Sequence, residues 1–474
     1  MNPDILRIIP DRVAKPFGPG PMRKNPAVHL LLFSMLTVAH PAIAATFYVD
    51  NQGNDANDGL NLKAPFRTLP KAVSAVKPGD AIELRAGHYT GTLISRPGRA
   101  DAWISLRAYN NEKAVITAEH GGSPTLYFYH SSCDESNPNN HPCQALYWNV
   151  EGLEIQGSGR GGGDDNVIKV DTPKIRIVGN NLHGSSADII KLVNTADDVE
   201  ILRNEIHHPN ARAGANAQGV DIVGADRTHV AHNHVHDIPS IGMYAKGNSR
   251  NTVFENNLVE RTWSHGIMLG QSTDADRLRD GRYETYDGII RNNIIRQTGW
   301  SCVATASSFN VHILNNSCYD TGSDTHGSVL ISNESEVKQA GTNIELRNNI
   351  FFGSARQPLI KITSNAMTDT ATLHIDHNLY WTTEGAATVR FTWRDKGLER
   401  VSFDNWRKAT RHDAHSLIAD PRFSDLNTLI PAPNSPALNA GTDTLLVTHD
   451  YAGSARPCRG KIDIGAHEYC TSTP

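Results

Sequence analysis

The chain has 474 residues, with 45 Lys and Arg against 50 Asp and Glu, a net charge of -5 at pH 7, and 39% hydrophobic residues. That acidic balance argues against a nucleic-acid partner. Six cysteines without any CxxC spacing point to disulfides rather than to a zinc finger.

Residues 1–45 read as an export signal. Arg23 and Lys24 precede an apolar stretch over residues 28–38, and Ala42, Ile43 and Ala44 form a small-residue cleavage site, with Met22 the more conventional start. His29, His40 and Pro41 interrupt the apolar run, so no membrane span is expected after cleavage. Removing residues 1–44, with five basic and two acidic side chains, takes the net charge from -5 to -8. A secreted or periplasmic protein is expected. The cysteines fall into three local pairs, the most economical of the possible pairings: Cys133 with Cys143, Cys302 with Cys318, and Cys458 with Cys470.

Residues 46–130 read as an amino-terminal cap with the first coils. The run from Asp50 to Gly59 has the composition of a calcium loop but lacks its spaced ligands and closing Glu, so tight Asx turns are expected. Over residues 70–76, Ala72, Val73, Ala75 and Val76 share one side of a short helix that would cover the open end of the first coil.

Residues 131–381 carry a repeated pattern: an apolar residue, two further residues, Asn, one residue, then an apolar residue or Cys. Its Asn positions are 180, 204, 233, 256, 292, 316, 349 and 378, and the first of them lies between Ile177 and Leu182. The spacings are those of one supersecondary unit that buries its apolar side by stacking on its neighbours. Leucine-rich repeats share this pattern but add an upstream Leu, where this chain has Thr172, Ala196, Ala225, Asn248, Glu284, Ser308, Gly341 and Thr370. No helical spacing appears between the Asn sites, so strands on every side are expected. Asn suits the corner because it tolerates a left-handed backbone and can hydrogen-bond to an Asn in the coil above.

A second apolar run supplies another strand of each coil, including Ile168-Lys169-Val170, Ile190-Lys191-Leu192, Val220-Asp221-Ile222, Met243-Tyr244-Ala245 and Ile267-Met268-Leu269. Alternation turns the middle residues outward, giving an exposed column Lys169, Lys191, Asp221, Tyr244, Met268. Residues 382–474 read as final coils and an irregular carboxy-terminal cap. A second short helix begins at Phe403-Asp404-Asn405-Trp406, and Ser416, Asp420 and residues 431–436 fall in loops.

With these motifs, the chain resembles the pectate-lyase-like superfamily of single-stranded right-handed parallel β-helix proteins. The run from Tyr48 to Gly59, then Pro65-Phe66-Arg67-Thr68-Leu69 and residues 78–82, resembles the amino-terminal cap of secreted members. Ser435 to Gly441 and Asp463 to Glu468 resemble their carboxy-terminal segment. The resemblance implies an all-β right-handed parallel β-helix solenoid with a short amino-terminal capping helix and an irregular carboxy-terminal capping segment. It does not fix an activity, because the superfamily holds lyases, hydrolases, epimerases and non-catalytic surface proteins.

Cations, a carboxylate and an aromatic ring in adjacent coils are what a chain of uronic acids needs, so an acidic polysaccharide is the expected partner of a monomeric protein. The resemblance implies a Lys or Arg base for β-elimination. Lys246, followed by Gly247, is the candidate, with Asp221 and His265 assisting. Lys169, Lys191, Tyr244 and Met268 would bind substrate, and Asp221 could hold Ca²⁺. The insertion from Gln271 to Asp287, carrying Asp274, Asp276, Arg277, Arg279, Asp280, Arg282, Tyr283 and Glu284, would wall the site, with Arg282 and Tyr283 touching substrate. A hydrolase would instead need paired carboxylates, for which the doublets Asp164/Asp165 and Asp197/Asp198 are the candidates. His183, His207 and His236 should stack one per coil as a surface ladder rather than surround a metal, and His232 and His234 are assigned to the Asn233 corner.

Overall fold

The computed structural model describes residues 44–470 except 138, 140–142, 162, 274–277, 334–335, 338 and 459. The export segment before residue 44 and the insertion residues Asp274, Asp276 and Arg277 lie outside the described residues. Among the described residues, no helix is long and apolar enough to cross a membrane.

Each coil contributes one strand to each of three sheets. One full turn runs through Ile175–Val178 in the first sheet, Asn181–His183 in the third and Ile190–Leu192 in the second, before Glu200–Leu202 returns to the first. The first sheet begins at Thr46–Val49, the third at Gly87–Thr90 and the second at Thr92–Ile94. Neighbouring rungs pair in parallel, and the second sheet ends on an antiparallel partner, Leu398–Val401 against Phe391–Trp393. Ile177, Ile201, Ile190, Leu192, Leu182 and Ile206 point inward and are fully buried. At about 1.5–3 kcal/mol per buried aliphatic side chain, stacking supplies the stability that a single coil lacks.

The Asn ladder runs Asn180, Asn204, Asn233, Asn257, Asn293, Asn316, Asn349, Asn378. Each Nδ2 donates to the Oδ1 of the next at 3.0–3.1 Å. The sequence pattern is therefore one residue out in two coils, where Asn257 and Asn293 form the ladder, not Asn256 and Asn292. The left-handed backbone is also one residue earlier than expected. Gly179, Arg203, His232, Asn256, Asn292, Asn315, Asn348 and His377 hold φ between 53° and 64°. That residue turns the corner and lets the ladder Asn point inward. Ser416 ends the ladder, its Oγ accepting from the backbone N–H of Asn378 at 2.8 Å.

The doublets explain the carboxy-terminal segment. Corner residues Asn292, Asn315 and Asn348 donate outward through Nδ2 to the carbonyls of His449, Asp463 and Thr442 at 2.7–3.1 Å. Ala437 and Ile464 pack on Ile350 and Leu379, and Leu429 and Ala466 on Ile294. The tail thus runs along the outside of several coils instead of only closing the last one. Leu69–Ala75 is helical, N-capped by Thr68, and buries Leu69, Ala72 and Val73. Phe403–Thr410 is helical, N-capped by Ser402, and buries Trp406.

All three expected disulfides form, and each does a different job. Cys133 bonds Cys143, with Cα atoms 5.2 Å apart, and closes a loop beside the second sheet. Cys302 bonds Cys318 inside the solenoid, where both are fully buried, and links the second-sheet strand Val303–Ala306 to the third-sheet strand Ser317–Thr321. Cys458 bonds Cys470 and pins the end of the tail, with Cys470 itself exposed.

Candidate active site

The second sheet aligns Tyr127, Lys169, Lys191, Asp221, Tyr244 and Met268 in strict register, one per rung, continuing through Ala304, Leu330 and Lys361. The outward column is therefore real, but its exposure differs from the expectation. Tyr244 and Met268 are buried with Ala304, Ala306 and Leu330, and the Tyr244 hydroxyl donates to the Gln271 carbonyl. Loops close over this half of the column because its side chains are apolar enough to pack beneath them, so neither residue offers an open sugar platform.

The polar half opens into a cleft of about 670 Å³, whose lining includes Lys169, Lys191 and Lys246. Lys169 Nζ lies 3.1 Å from Glu135, 3.6 Å from Asp164 and 5.3 Å from the Tyr127 ring centroid. Lys191 Nζ pairs with Asp188 at 3.2 Å and with Asp221. Burial pulls the Lys191 ammonium down, but the Asp221 and Asp188 carboxylates outweigh it and hold its pKa above the ordinary value. Burial pushes the Asp171 carboxyl, which accepts from the Tyr127 hydroxyl, up to about 6, although Lys169 opposes the shift.

Lys246 differs from its neighbours. Its strand, Met243–Lys246, sets it beside Val223, two positions beyond the Asp221 column, and its Nζ lies 4.8 Å from the Tyr244 ring centroid. Among the described residues, no carboxylate oxygen lies within 4 Å of it.

Two loops wall the cleft. Glu135 and Ser136 lie in the segment tied by Cys133 and Cys143, and Asn194 Nδ2 donates to the Asn137 carbonyl at 2.7 Å. Ser272 and Thr273 begin the 271–287 insertion. Buried Glu284 accepts from the backbone amides of Gly247 and Thr273, each at 2.9 Å, which anchors the end of the Lys246 strand. Arg279 reaches Asp226 and the Gly224 carbonyl, fastening the insertion to an earlier coil.

Several expected site residues lie elsewhere. His265 precedes the strand Ile267–Leu269, whereas Lys246 follows the paired residues Met243, Tyr244 and Ala245, so the two lie toward opposite ends of this pair of strands. Its ring is buried against Trp300 and His326, with centroids 5.2 and 5.9 Å away, and burial pushes its pKa down to about 3. Tyr283 turns away from the lysines and packs on Tyr286 and Phe309, with its hydroxyl 3.0 Å from Thr342 Oγ1, while Arg282 is exposed outside the cleft lining. Of the three disulfides, only the one between Cys133 and Cys143 shapes the cleft. Cys302 and Cys318 sit in the interior, and Cys458 and Cys470 in the tail, so these four cysteines are structural and have no place among the cleft-lining residues. Asp165 ties Ser158 to Ser186, and Asp198 pairs with Arg227 and Lys174, so of the acidic doublets only Asp164 faces the cleft. Sequence reasoning does not single out Glu135 or Asp188, and it finds Glu284 only as one charge among several in the insertion. The Cys133 and Cys143 pair flanking Glu135 is the available signal for that wall.

Comparison with known proteins agrees with this architecture. The family model described as "Right handed beta helix region" matches residues 166–351, and one for a protein family of unknown function matches residues 51–94. The uncharacterized protein YwoF of Bacillus subtilis (strain 168) is 24% identical over 447 residues, covering 80% of this chain and 88% of that protein. Among solved structures, the pectate lyase Pel9A superposes with a TM-score of 0.58 at 17% identity, covering 90% of this chain and 97% of that one. XylC in complex with xylose gives 0.52 at 11% identity, covering 90% and 98%. In its coils, its ladder and its matches, this chain is a right-handed parallel β-helix protein of the pectate-lyase-like fold.

Proposed function

We propose that the protein is a carbohydrate-active enzyme that cleaves a uronate-containing polysaccharide by β-elimination in the lysine cleft. One observation carries this reading: Lys169, Lys191 and Lys246 share a cleft, the first two are matched by carboxylates, and Lys246 sits over Tyr244 with no carboxylate oxygen within 4 Å among the described residues. Lys246, acting as the base, would take the proton from the carbon bearing the uronate carboxylate. That electron pair forms a double bond to the neighbouring carbon, whose bond to the glycosidic oxygen breaks, and solvent protonates the leaving oxygen. Lys169, held by the partly exposed carboxylates of Glu135 and Asp164, would meet the substrate carboxylate. Asp221 acts through Lys191 as a positioning residue, and His265 has no part in the step.

The residues at Asp221 do not fit calcium. Ca²⁺ takes roughly six to eight oxygen ligands, whereas Asp221 Oδ2 is engaged by the Lys191 ammonium and Oδ1 is buried without a hydrogen-bond partner. Lys191 takes the place of a cation there, so cleavage should not require Ca²⁺ at that carboxylate. Three disulfides support a location outside the cytosol. The fold shared with a pectate lyase supports the reading at the level of architecture.

A second reading, glycan binding without catalysis, is favoured by Trp263, which is 41% exposed beside a shallow cleft of about 410 Å³. The discriminating assay incubates pectate, alginate and glycosaminoglycans with the protein, with and without Ca²⁺ and a chelator, and follows ultraviolet absorbance of unsaturated uronate. Absorbance that survives the chelator and falls about 10²–10⁴-fold in Lys246→Ala supports the lyase. Inverted uronate without cleavage indicates an epimerase, new reducing ends without absorbance a hydrolase, and binding without product the second reading.

A further inference from the structure

The third sheet carries a histidine cluster that the lysine cleft does not use. His183, His207 and His236 stack in register, with centroids 5.1 and 4.9 Å apart and planes within 16° and 6°. Parallel rings one rung apart present their edges side by side and do not surround an ion, so this stack is a ladder. A different trio converges. Glu205 is level with His234, whose ring centroid lies 4.2 Å from that of His236, and one ligand atom from each of Glu205, His234 and His236 lies within 4.8 Å of the others. His234 belongs to the strand His234–Ile238, not to the corner made by His232.

The hydrogen bonds fix which nitrogen of each ring is free. His236 Nδ1 lies 2.7 Å from Asp237, a carboxylate that also accepts a fork from Arg261. His234 Nε2 lies 3.1 Å from Glu260, which also accepts from Arg261 and Arg296. An ionised carboxylate can only accept, so the proton sits on Nδ1 of His236 and on Nε2 of His234, leaving one lone pair per ring. Carboxylates that orient imidazoles in this way are the usual outer partners of metal-binding histidines. The free Nε2 of His236 then faces Glu205 Oε1 at 3.3 Å. Two acceptors at that distance need a proton or a cation between them, and two ligands about 2.0–2.1 Å from a tetrahedral ion lie roughly 3.3–3.4 Å apart.

We propose that Glu205, His234 and His236 form a binding site for a divalent transition-metal ion of the Zn²⁺ class. Two imidazoles and one carboxylate suit such an ion better than Ca²⁺ or Mg²⁺, which prefer oxygen ligands. Asp237 and Glu260 hold the rings, and three protein ligands leave a fourth position for water or a ligand oxygen. The site lies on a different sheet from Lys246 and stands independently of the proposed reaction.

The test titrates Zn²⁺ into the full-length protein against a chromogenic chelator, with Co²⁺ absorption as the spectroscopic signature. One equivalent should bind. Glu205→Gln, at an exposed position, and His234→Gln should each weaken binding at least tenfold, and Asp237→Asn about 10–100-fold. Lys246→Ala should leave the affinity unchanged. Circular dichroism and melting temperature check that each variant is folded, so the exposed Glu205→Gln keeps the test decisive even if a histidine variant is not. No binding above that of a His234→Gln/His236→Gln double variant would overturn the proposal, the proton then being what bridges His236 and Glu205. So would binding that survives Glu205→Gln and His234→Gln but is lost in His208→Gln, which would move the ion to the neighbouring set His208, His236 and Asp237.

Discussion

The first and second sheets are built from the same coils, yet their outer faces treat charge in opposite ways. On the first sheet, rungs alternate in sign: Glu83 meets Arg107 at 2.7 Å, Arg176 meets Glu200 at 3.1 Å, and Glu255 lies between His229 and Arg291. On the second, Lys169 is stacked directly on Lys191, and the balancing carboxylates come from partly exposed Glu135 and Asp164 at the cleft lining for Lys169 and from buried Asp188 and Asp221 for Lys191. Burial would raise the Glu255 carboxyl, but His229 and Arg291 overcome it and hold it at about 2. Burial dominates at Asp171 and lifts it to about 6. A column whose charges alternate completes itself. One that places like charges together draws its counter-charges from loops and buried side chains, and the cleft lies there.

The largest expected effect is at the buried pair. Lys191→Met leaves Asp188 and Asp221 without their cation and should cost about 3–5 kcal/mol in chemical denaturation. Arg107→Met on the first sheet, removing a half-exposed partner of Glu83, should cost about 0–1 kcal/mol. Equal losses in the two variants would erase the distinction between the faces.

Next comes the pH dependence, where the two faces should differ in sign. Asp171 is raised from 3.8 to about 6, so the folded state binds more protons, and stability falls as pH rises through that window. Glu255 is lowered from 4.5 to about 2, so its contribution is present above 4.5 and is lost as pH falls toward 2. Each term is on the order of 3 kcal/mol. Melting curves of Asp171→Asn and Glu255→Gln against wild type should each flatten a different window, and loss of the same window in both would contradict the assignment.

A smaller effect separates the two residues of an Asn doublet. Asn257→Ala, within the ladder, leaves buried partners unsatisfied and should cost about 1–3 kcal/mol. Asn256→Ala, at the left-handed corner, keeps the ladder and should cost about 1 kcal/mol or less, through backbone strain. The ranking by urea midpoint would reverse if the doublet had been read one residue out.

Much of the fold could be read from the chain because its cause is local and repeats. Ile177, Asn180 and Leu182 mark a corner wherever the pattern recurs, and Lys169, Lys191 and Asp221 share a face because strands alternate. The disulfides were legible for the same reason: Cys302 and Cys318, or Cys458 and Cys470, are close in sequence, and short loops bring their ends together. Asn256 and Asn257 are ambiguous for a physical reason: Val253 and Phe254 fit the apolar position equally well, and only the register with Asn233 decides between them. Alternation alone points Tyr244 outward, and the order of strands and insertion alone puts His265 and Arg282 near Lys246, whereas their environments are set by loops that cross coils, such as the one that lays Gln271 over Tyr244. The anchoring role of Glu284 is not legible in the sequence because its partners are the backbone amides of Gly247 and Thr273, which leave no side-chain signature.

If the working surface is the second-sheet cleft, where Lys246 stands beside two carboxylate-paired lysines, a crystal structure of Lys246→Ala with a bound oligouronate tests it most directly. Sugar density should follow Lys169, Lys191 and the vacated position 246, with a substrate carboxylate within hydrogen-bond reach of Lys169. Sugar bound instead beside Trp263, with the lysine cleft filled by water, would contradict that assignment.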